Sequence, residues 1–163
     1  MIQKETSWFK KRESIEQVEE SSSFAPKFDK DGLLPVITSD FKSGEVLMQG
    51  YMNKEALQMT ISLGQAVYFS RSRQCIWHKG KTSGLFQHIK EIRIDDDQDC
   101  IWLRVEVEGA ASCHVGYRSC FYRSVPFGKD SKNKETLALN FTESEKVFDP
   151  TIVYKDAENP TKL

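Results

Sequence analysis

Four aspartates lie within five consecutive positions near the middle of the chain, at Asp95, Asp96, Asp97 and Asp99. In an extended segment, residues two apart point to the same side, so Asp95, Asp97 and Asp99 would share one face and Asp96 would lie on the other. Carboxylates held close together repel one another unless a cation neutralises them, and oxygen ligands suit Mg²⁺. The run therefore predicts a magnesium site at Asp95, Asp97 and Asp99. A solvated acidic turn without a metal is the alternative interpretation.

A second group of candidate metal ligands follows at Cys113, His114 and Cys120. Thiolates and imidazole are typical ligands of Zn²⁺, which lowers the pKa of a bound water to about 7 and so supplies hydroxide near neutral pH. His114 could exchange protons with such a water, because the ordinary pKa of histidine is about 6.5. The spacing of the two cysteines does not match the common zinc modules. Buried thiols, and a His114 that only hydrogen-bonds within its loop, are the alternatives.

The stretch before the aspartates is rich in hydrogen-bond donors. From residue 71 to residue 93 there are six Lys or Arg against one Glu. Arg71 and Arg73 are two apart on a predicted strand, where they could bind a phosphate with planar guanidinium groups or could be solvated charges at a sheet edge. Hydroxyl, ammonium and backbone N–H groups also bind phosphate, and an indole can stack on a base or pack in the core. These criteria select further candidates for binding a phosphorylated substrate: Trp77, Lys79, Thr82, Ser83 and Gly84.

Alternating apolar and polar residues predict the strands that must position these groups. Two strands at 33–38 and 46–52 should form a hairpin. A helix should begin after the N-cap residue Asn53 and end at Gly64. The remaining strands are predicted at 66–72, 74–80, 86–94, 101–107 and 121–125. The expected fold class is α+β, predominantly antiparallel β with a short packing helix, in a single domain.

Length and composition limit the class of protein. A chain of 163 residues with a net charge of −1 is expected to form one domain, without the basic surface of a general nucleic-acid or membrane-surface binder. It contains no apolar run of about 18 residues that could span a bilayer, and its charged N-terminus does not resemble a secretory signal. A cytoplasmic location is therefore expected. In that compartment the cysteines should be ligands or free thiols rather than disulfides.

Two polar segments flank the predicted domain, which spans residues 32–127. Residues 1–31 form a polar N-terminal extension, with a short amphipathic helix predicted within 8–20 and a linker after it. Residues 128–163 form a polar C-terminal extension, which is expected to lie on the surface because its apolar patches are short.

Four stretches taken together are more specific than any one motif: LLPVITSDFKSGEVLMQGYMNKEAL (33–57), SRSRQCIWHKGKTSG (70–84), the aspartate run, and CHVGYRSCFYR (113–123). In order and spacing they resemble phosphoribosyl-AMP cyclohydrolase, the histidine-pathway enzyme that hydrolyses the N1–C6 bond of a purine ring. The resemblance implies an intertwined homodimer with Mg²⁺ at the aspartates. It also implies a zinc-type site at Cys113 and Cys120, completed by a ligand from the other subunit, with His114 as the catalytic acid or base.

Two positions depart from the pattern of the resembled family. Asp96 stands where the family has the cysteine taken as the third zinc ligand, and Lys81 stands where it has a glutamate. A carboxylate is a harder ligand than a thiolate and would favour Mn²⁺ or Fe²⁺ more. Cys100 is the other candidate for the third ligand, or it is a buried thiol. Two further functions stay open, a paralogue with another metal or another purine-like substrate, and a non-catalytic module that binds a nucleotide or phosphoribosyl group.

Overall fold

The computed structural model describes residues 7–109, 111–161 and 163. Its helices are α1 (Ile15–Glu20), α2 (Lys54–Leu63), α3 (Pro150–Tyr154) and a 3₁₀ helix at Gly128–Ser131. Its strands are β1 (Leu34–Asp40), β2 (Val46–Met52), β3 (Val67–Ser70), β4 (Cys75–His78), β5 (Gln87–Ile94), β6 (Ile101–Val107), β7 (Arg123–Ser124) and β8 (Asn140–Phe141). Within the described ranges, no helix has the length and apolar character needed to cross a membrane.

A four-stranded sheet in the order β2-β1-β6-β5 forms the centre of the fold. Strand β1 pairs antiparallel with β2 and parallel with β6, and β6 pairs antiparallel with β5. Strands β3 and β4 form a separate antiparallel hairpin, in which β3 packs against α2 and β2. The predicted fold class, α+β with mostly antiparallel strands in one domain, is confirmed.

The predicted helix is confirmed as α2. The Asn53 side chain accepts a hydrogen bond from the backbone N–H of Ala56 at 2.8 Å, which caps the first turn. Gly64 ends the helix with a φ of 64°, a conformation that a residue without Cβ adopts at little cost. The hydroxyl of Thr60 accepts a hydrogen bond from the N–H of Val67 at 3.0 Å. This bond ties the last turn of α2 to the start of β3.

Several local predictions are wrong in extent. Strand β3 ends at Ser70 and β4 begins at Cys75, so Arg71 and Arg73 lie in the turn between them and not on one strand face. Only two residues of the predicted strand 121–125 pair with another strand. The helix within 8–20 begins only at Ile15. The segment predicted as a linker packs on the core, because its apolar residues find partners there, and Ala25 is fully buried.

A chain of buried hydrogen bonds connects the core to the candidate site. Tyr68 is almost completely buried. Its hydroxyl donates a hydrogen bond to the side-chain carbonyl of Gln87 at 2.6 Å and accepts one from the hydroxyl of Thr38 at 2.7 Å. The Gln87 amide in turn donates to the hydroxyl of Ser112 at 3.2 Å. Burial raises the pKa of Tyr68, so its hydroxyl stays protonated and remains a donor.

Tyr68→Phe is expected to lower the free energy of unfolding by about 1–3 kcal/mol, because Thr38 and Gln87 would each lose a buried partner. Chemical denaturation of both proteins measures the difference. Tyr51→Phe is the matched control, since Tyr51 is a half-buried tyrosine on strand β2, and it should change stability by less than about 0.5 kcal/mol. Equal losses in the two variants would show that the hydrogen bonds of Tyr68 contribute nothing specific.

Candidate active site

A cavity of about 740 Å³ opens between β2, the β3–β4 hairpin and the loop that contains the cysteines. Most of the residues predicted from sequence to bind substrate line it, together with His114 and Cys120: Arg71, Arg73, Trp77, Lys79, Thr82 and Ser83. Gly84 lies outside this lining, and its backbone N–H already donates to the carbonyl of Gly80 at 2.7 Å. The fold thus brings together groups that lie in two separate stretches of sequence.

Two arginines stand at one side of this cavity, on the β3–β4 turn. The guanidinium of Arg71 lies 4.0 Å from the centre of the Tyr51 ring, and that of Arg73 lies 5.7 Å from the centre of the Trp77 ring. Both side chains are exposed, and Arg73 also donates through Nε to the hydroxyl of Ser70 at 3.2 Å. The aromatic faces therefore orient the two cations while leaving guanidinium N–H groups free for an anion.

A tight loop brings the two cysteines together. The N–H of Cys113 donates to the carbonyl of Tyr117 at 3.2 Å, and the N–H of Cys120 donates to the carbonyl of Leu47 in β2 at 2.7 Å. Cys113 is only 3% exposed. A hydrogen bond from the Cys120 thiol, helped by the N–H of Val115 and the charge of Lys79, lowers the pKa of Cys113 to about 6. The same contact raises the pKa of Cys120, so one thiol of the pair ionises easily and the other does not.

Lys79 is buried beside this thiol pair and only 2% exposed. Its ammonium group donates to the carbonyl of Ser112 at 2.8 Å and lies 5.2 Å from the centre of the Trp77 ring. Burial lowers the pKa of Lys79, and the nearby thiols of Cys120 and Cys113 oppose that shift. The sequence predicted Lys79 only as a hydrogen-bond donor to a substrate phosphate. Its place beside the thiols depends on a contact between distant parts of the chain, for which spacing carries no signal.

His114 is half-buried at the wall of the cavity. Its Nε2 atom is shielded from solvent and has no hydrogen-bond partner in the described part of the protein. Burial and then the positive charge of Lys79 lower the pKa of His114 below its ordinary value, with Asn159 opposing the shift. The ring is therefore neutral at neutral pH, the form that can accept a proton from water.

The acidic run forms a turn between β5 and β6, and the predicted extended conformation is wrong. One carboxylate oxygen of Asp95 accepts the N–H groups of Asp99 and Cys100, both at 2.9 Å, and this closes the turn. The turn nevertheless gathers the three predicted aspartates, since ligand oxygens of Asp95, Asp97 and Asp99 lie within 4.8 Å of one another. Burial and the charges of Asp97 and Asp95 raise the pKa of Asp99. These residues do not line the cavity within one chain.

A sequence model of the phosphoribosyl-AMP cyclohydrolase family matches residues 48–122, a range that includes every predicted site residue. Similar proteins of that name occur in Bradyrhizobium diazoefficiens, at 50% identity over 139 residues (85% of this chain and 95% of that protein), and in Rhodopseudomonas palustris, at 48% over 140 residues (86% and 92%). A third, from Nitrobacter winogradskyi, is 46% identical over 142 residues (87% and 94%). The chain belongs to the phosphoribosyl-AMP cyclohydrolase family. The resemblance drawn from its motifs is confirmed.

In the described part of the chain, the third zinc ligand expected from the resemblance does not lie beside the cysteine pair. Among the described residues, three or more metal-ligating side chains converge only at Asp95, Asp97 and Asp99. Asp96 is exposed on the acidic turn. Cys100 is partly buried next to that turn, and burial followed by the charge of Asp95 raises its pKa. Neither candidate for the third ligand joins the cysteines within one subunit.

The C-terminal segment is anchored beside the cysteine loop. The carboxylate of Glu143 accepts the backbone N–H groups of Arg118 at 3.1 Å and Ser119 at 3.3 Å. The N–H of Val147 donates to the carbonyl of Gly116 at 2.7 Å. Gly116 has a φ of 107°, and a Cβ there would lie 2.5 Å from the carbonyl oxygen of Phe148. Glycine is therefore required where the two segments cross.

Beyond this anchor the C-terminal segment forms one wall of the cavity. Residues of α3 and of the segment that follows it line the cavity, among them Tyr154 and Asn159. Burial raises the pKa of Tyr154, and a hydrogen bond with the Ser83 side chain opposes that shift. The sequence predicted the segment only as a surface extension. Its polar composition does not indicate a contact with a cavity whose other residues lie much earlier in the chain.

The two thiols give a pH-dependent prediction for metal-free protein. Alkylation of Cys113 should follow a titration with a midpoint of about 6. Cys120→Ala should move the midpoint up, toward the ordinary thiol value of about 8.5, because the principal donor to the thiolate is removed. Since the folded pKa lies below the unfolded one, ionisation of Cys113 stabilises the fold fully above the unfolded pKa, and this stability is lost as pH falls through about 6.

Mass spectrometry of the alkylated protein across a pH series measures this midpoint at Cys113 itself. Cys75→Ala is the control, because Cys75 is an exposed thiol at the start of β4 and does not line the cavity. It should leave the midpoint unchanged. A midpoint that also stays at about 6 in Cys120→Ala would contradict the assigned cause.

Proposed function

We propose that this chain hydrolyses the N1–C6 bond of the purine ring of 1-(5-phosphoribosyl)-AMP, a reaction of histidine biosynthesis. Its relatives are named for this activity, and the similarity covers most of the chain. The observation that carries the proposal is one cavity at which arginines, hydroxyls, His114 and Cys120 meet. Its volume of about 740 Å³ falls within the range of small-molecule sites.

Cys113 and Cys120 fit a zinc-type ion. Their side chains are hydrogen-bonded to each other, one of them ionises easily, and thiolates are preferred zinc ligands. A bound Zn²⁺ would supply hydroxide from water near neutral pH. Among the residues that the structure describes, no third metal-ligating side chain of the same chain joins the two cysteines. We infer that the third ligand is Asp96 of the partner subunit in a homodimer, which the exposure of Asp96 permits.

His114 would move the proton. Its Nε2 is unpaired among the described residues and its pKa is lowered by burial, so the neutral ring is ready to accept a proton at neutral pH. After attack at C6 of the purine, the same nitrogen would return this proton to the departing N1. The second proton of the water would leave the C6 oxygen for the exocyclic nitrogen or for solvent as the carbonyl forms.

The remaining residues of the cavity would bind the substrate. Arg71 and Arg73 would bind phosphate, with the hydroxyls of Thr82 and Ser83 as further donors and Gly84 in the same loop. The ring of Trp77 would stack on the base. Lys79 would balance the negative charge of the thiolates.

Asp95, Asp97 and Asp99 fit Mg²⁺, because three carboxylates converge there, and burial followed by the charges of Asp97 and Asp95 raises the pKa of Asp99. A bound Mg²⁺ would supply a further partner for substrate phosphate. We infer a cytoplasmic location, which suits free thiols and a small-molecule substrate.

A paralogue with another metal or another purine-like substrate is the second candidate function. Asp96 and Lys81 favour it, because each replaces a family residue with one of different charge. A carboxylate in place of a thiolate narrows the preference for Zn²⁺ over Mn²⁺ or Fe²⁺.

Both candidates are tested by assaying purified protein on 1-(5-phosphoribosyl)-AMP and measuring its metal content after purification without chelators. The proposed function predicts ring opening, loss of activity with a chelator, and recovery with Zn²⁺ and Mg²⁺. Recovery with Mn²⁺ or Fe²⁺ alone favours the paralogue with another metal. Binding of the substrate without turnover under every metal would refute catalysis and leave a binding module.

A further inference from the structure

Gln98 is the buried centre of the acidic turn. It is only 4% exposed, although its neighbours on both sides are aspartates, and it has a positive φ of 59°. Its side-chain carbonyl accepts the N–H of Ala25 at 2.8 Å, and its amide donates to the carbonyls of Val18 at 2.8 Å and Ser23 at 3.0 Å. Its own backbone carbonyl accepts the N–H of Lys27 at 2.7 Å. All four hydrogen bonds join Gln98 to the N-terminal segment.

Arg12 makes a second connection between the same two parts of the chain. One guanidinium nitrogen donates to the carbonyl of Ala25 at 2.7 Å, and the other donates to the carbonyl of Asp97 at 2.8 Å. Residues 8–31, here called the N-terminal strap, therefore hold two consecutive residues of the acidic turn. A planar fork suits this task because it joins two fixed carbonyls at once.

The strap is itself fixed to the core. Phe9, Phe24 and Phe28 pack against buried residues, and Ala25 is fully buried. The rings of Phe9 and Phe24 meet edge to face at 5.2 Å, and the N–H of Lys10 donates to the carbonyl of Phe24 at 2.8 Å. The strap can thus hold the acidic turn in place against repulsion among its carboxylates.

Such resistance is needed where three carboxylates converge. Asp95, Asp97 and Asp99 repel one another before a cation is bound, and a free turn would relax by separating them. Gln98 adds strain, because a residue with a side chain seldom adopts a positive φ. Bonds that fix the turn before binding remove the cost of gathering the ligands at that moment.

We propose that Arg12 and Gln98 are positioning residues that hold Asp95, Asp97 and Asp99 in the arrangement that binds a divalent cation. This rests on the proposed function only in assigning Mg²⁺ to the aspartates. The N-terminal strap is then part of the metal site, although none of its residues is a ligand. Partners of this kind typically change metal affinity about 10–100-fold when they are removed.

Calorimetric titration of Mg²⁺ into zinc-loaded protein tests the proposal. Arg12→Met and Gln98→Met are each expected to raise the dissociation constant for Mg²⁺ at least about tenfold. Arg12→Lys should recover part of the affinity, because one ammonium donor can reach only one of the two carbonyls. In activity assays, the Mg²⁺ concentration that gives the half-maximal rate should rise together with the dissociation constant.

Gln17→Met is the matched control. Gln17 lies on the same strap, where its side chain accepts the N–H of Glu13 at 2.8 Å and donates to the carbonyl of Lys11 at 2.9 Å. Its backbone N–H donates to the cap residue Ser14, and among the described residues its side chain makes no hydrogen bond to the acidic turn. It should leave the Mg²⁺ affinity unchanged. Denaturation of each variant measures folding separately. If Gln98→Met fails to fold, Arg12→Met still tests the proposal, because Arg12 is only half-buried.

Two outcomes would overturn the proposal, and they can be told apart. If the parent binds Mg²⁺ and both Arg12→Met and Gln98→Met bind it equally well, the strap serves only the stability of the fold. If the parent binds no Mg²⁺, and Asp97→Ala has the same calorimetric profile, the proposed cation site fails together with its positioning residues.

Discussion

His114→Ala is expected to lower kcat for 1-(5-phosphoribosyl)-AMP hydrolysis about 10²–10⁴-fold, the usual contribution of a general acid or base. Its Nε2 is shielded, unpaired in the described part of the protein, and placed at the wall of the cavity. The ring is neutral at neutral pH because burial lowers its pKa. Steady-state rates, with zinc content measured on the same samples, check the result. The zinc content should not change.

His88→Ala is the control for this experiment. His88 lies on β5 outside the cavity, and its Nε2 is 3.0 Å from the carboxylate of Glu108. Its removal should change kcat less than about twofold, as for a surface substitution. A loss below about tenfold in His114→Ala would exclude the proton-transfer role. A loss of zinc with the loss of rate would assign His114 to holding the loop.

The second large effect is expected from combining two damaged subunits. Cys113→Ala and Asp96→Ala should each lose zinc and most activity alone, because each removes one proposed ligand. A purified mixed dimer should regain about half of the parent activity, since one of its two sites then has both cysteines from one chain and Asp96 from the other. Co-expression with two different affinity tags yields the mixed dimer.

The mixed dimer of Cys113→Ala with Cys120→Ala is the matched control. Both changes damage the same half of the site, so neither site is intact and no activity should return. Full zinc and full activity in Asp96→Ala alone would remove Asp96 as a ligand and direct the same experiment to Cys100. A mixed dimer that stays inactive, while each variant separately has lost zinc, would place all the ligands in one subunit.

Local chemistry accounts for the parts of the fold that were predicted correctly. Asn53 and Gly64 mark the ends of α2 because capping and a left-handed residue act within a single helical turn. The strands around β1, β2, β5 and β6 follow from alternating residues in the same way. The aspartates were grouped correctly but for the wrong reason, since a turn closed by Asp95 gathers them and not a strand face.

Contacts between distant segments account for what was missed. Lys79 meets the carbonyl of Ser112, and Gln98 meets Ala25, without any spacing or composition that marks the pairs. The N-terminal strap was predicted as a helix and a linker. Its short apolar patches indicate packing only once the position of the core that they contact is known. The cavity wall formed by Tyr154 is a case of the same kind.

The parallel pairing of β1 with β6 sets the order in which the chain can complete its sheet. On a ribosome, β1 and β2 emerge and can pair as a hairpin while β6 has yet to be made, so one edge of β1 faces solvent with its N–H and C=O groups unpaired. Pairing between segments so remote in sequence is slow to form. The fully buried Leu103 and Val105 also arrive only with β6. Nascent chains interrupted before Ile101 therefore expose an open strand edge together with a core that lacks Ile101, Leu103 and Val105. Exposed strand edges and apolar surface of this kind bind chaperones and promote aggregation.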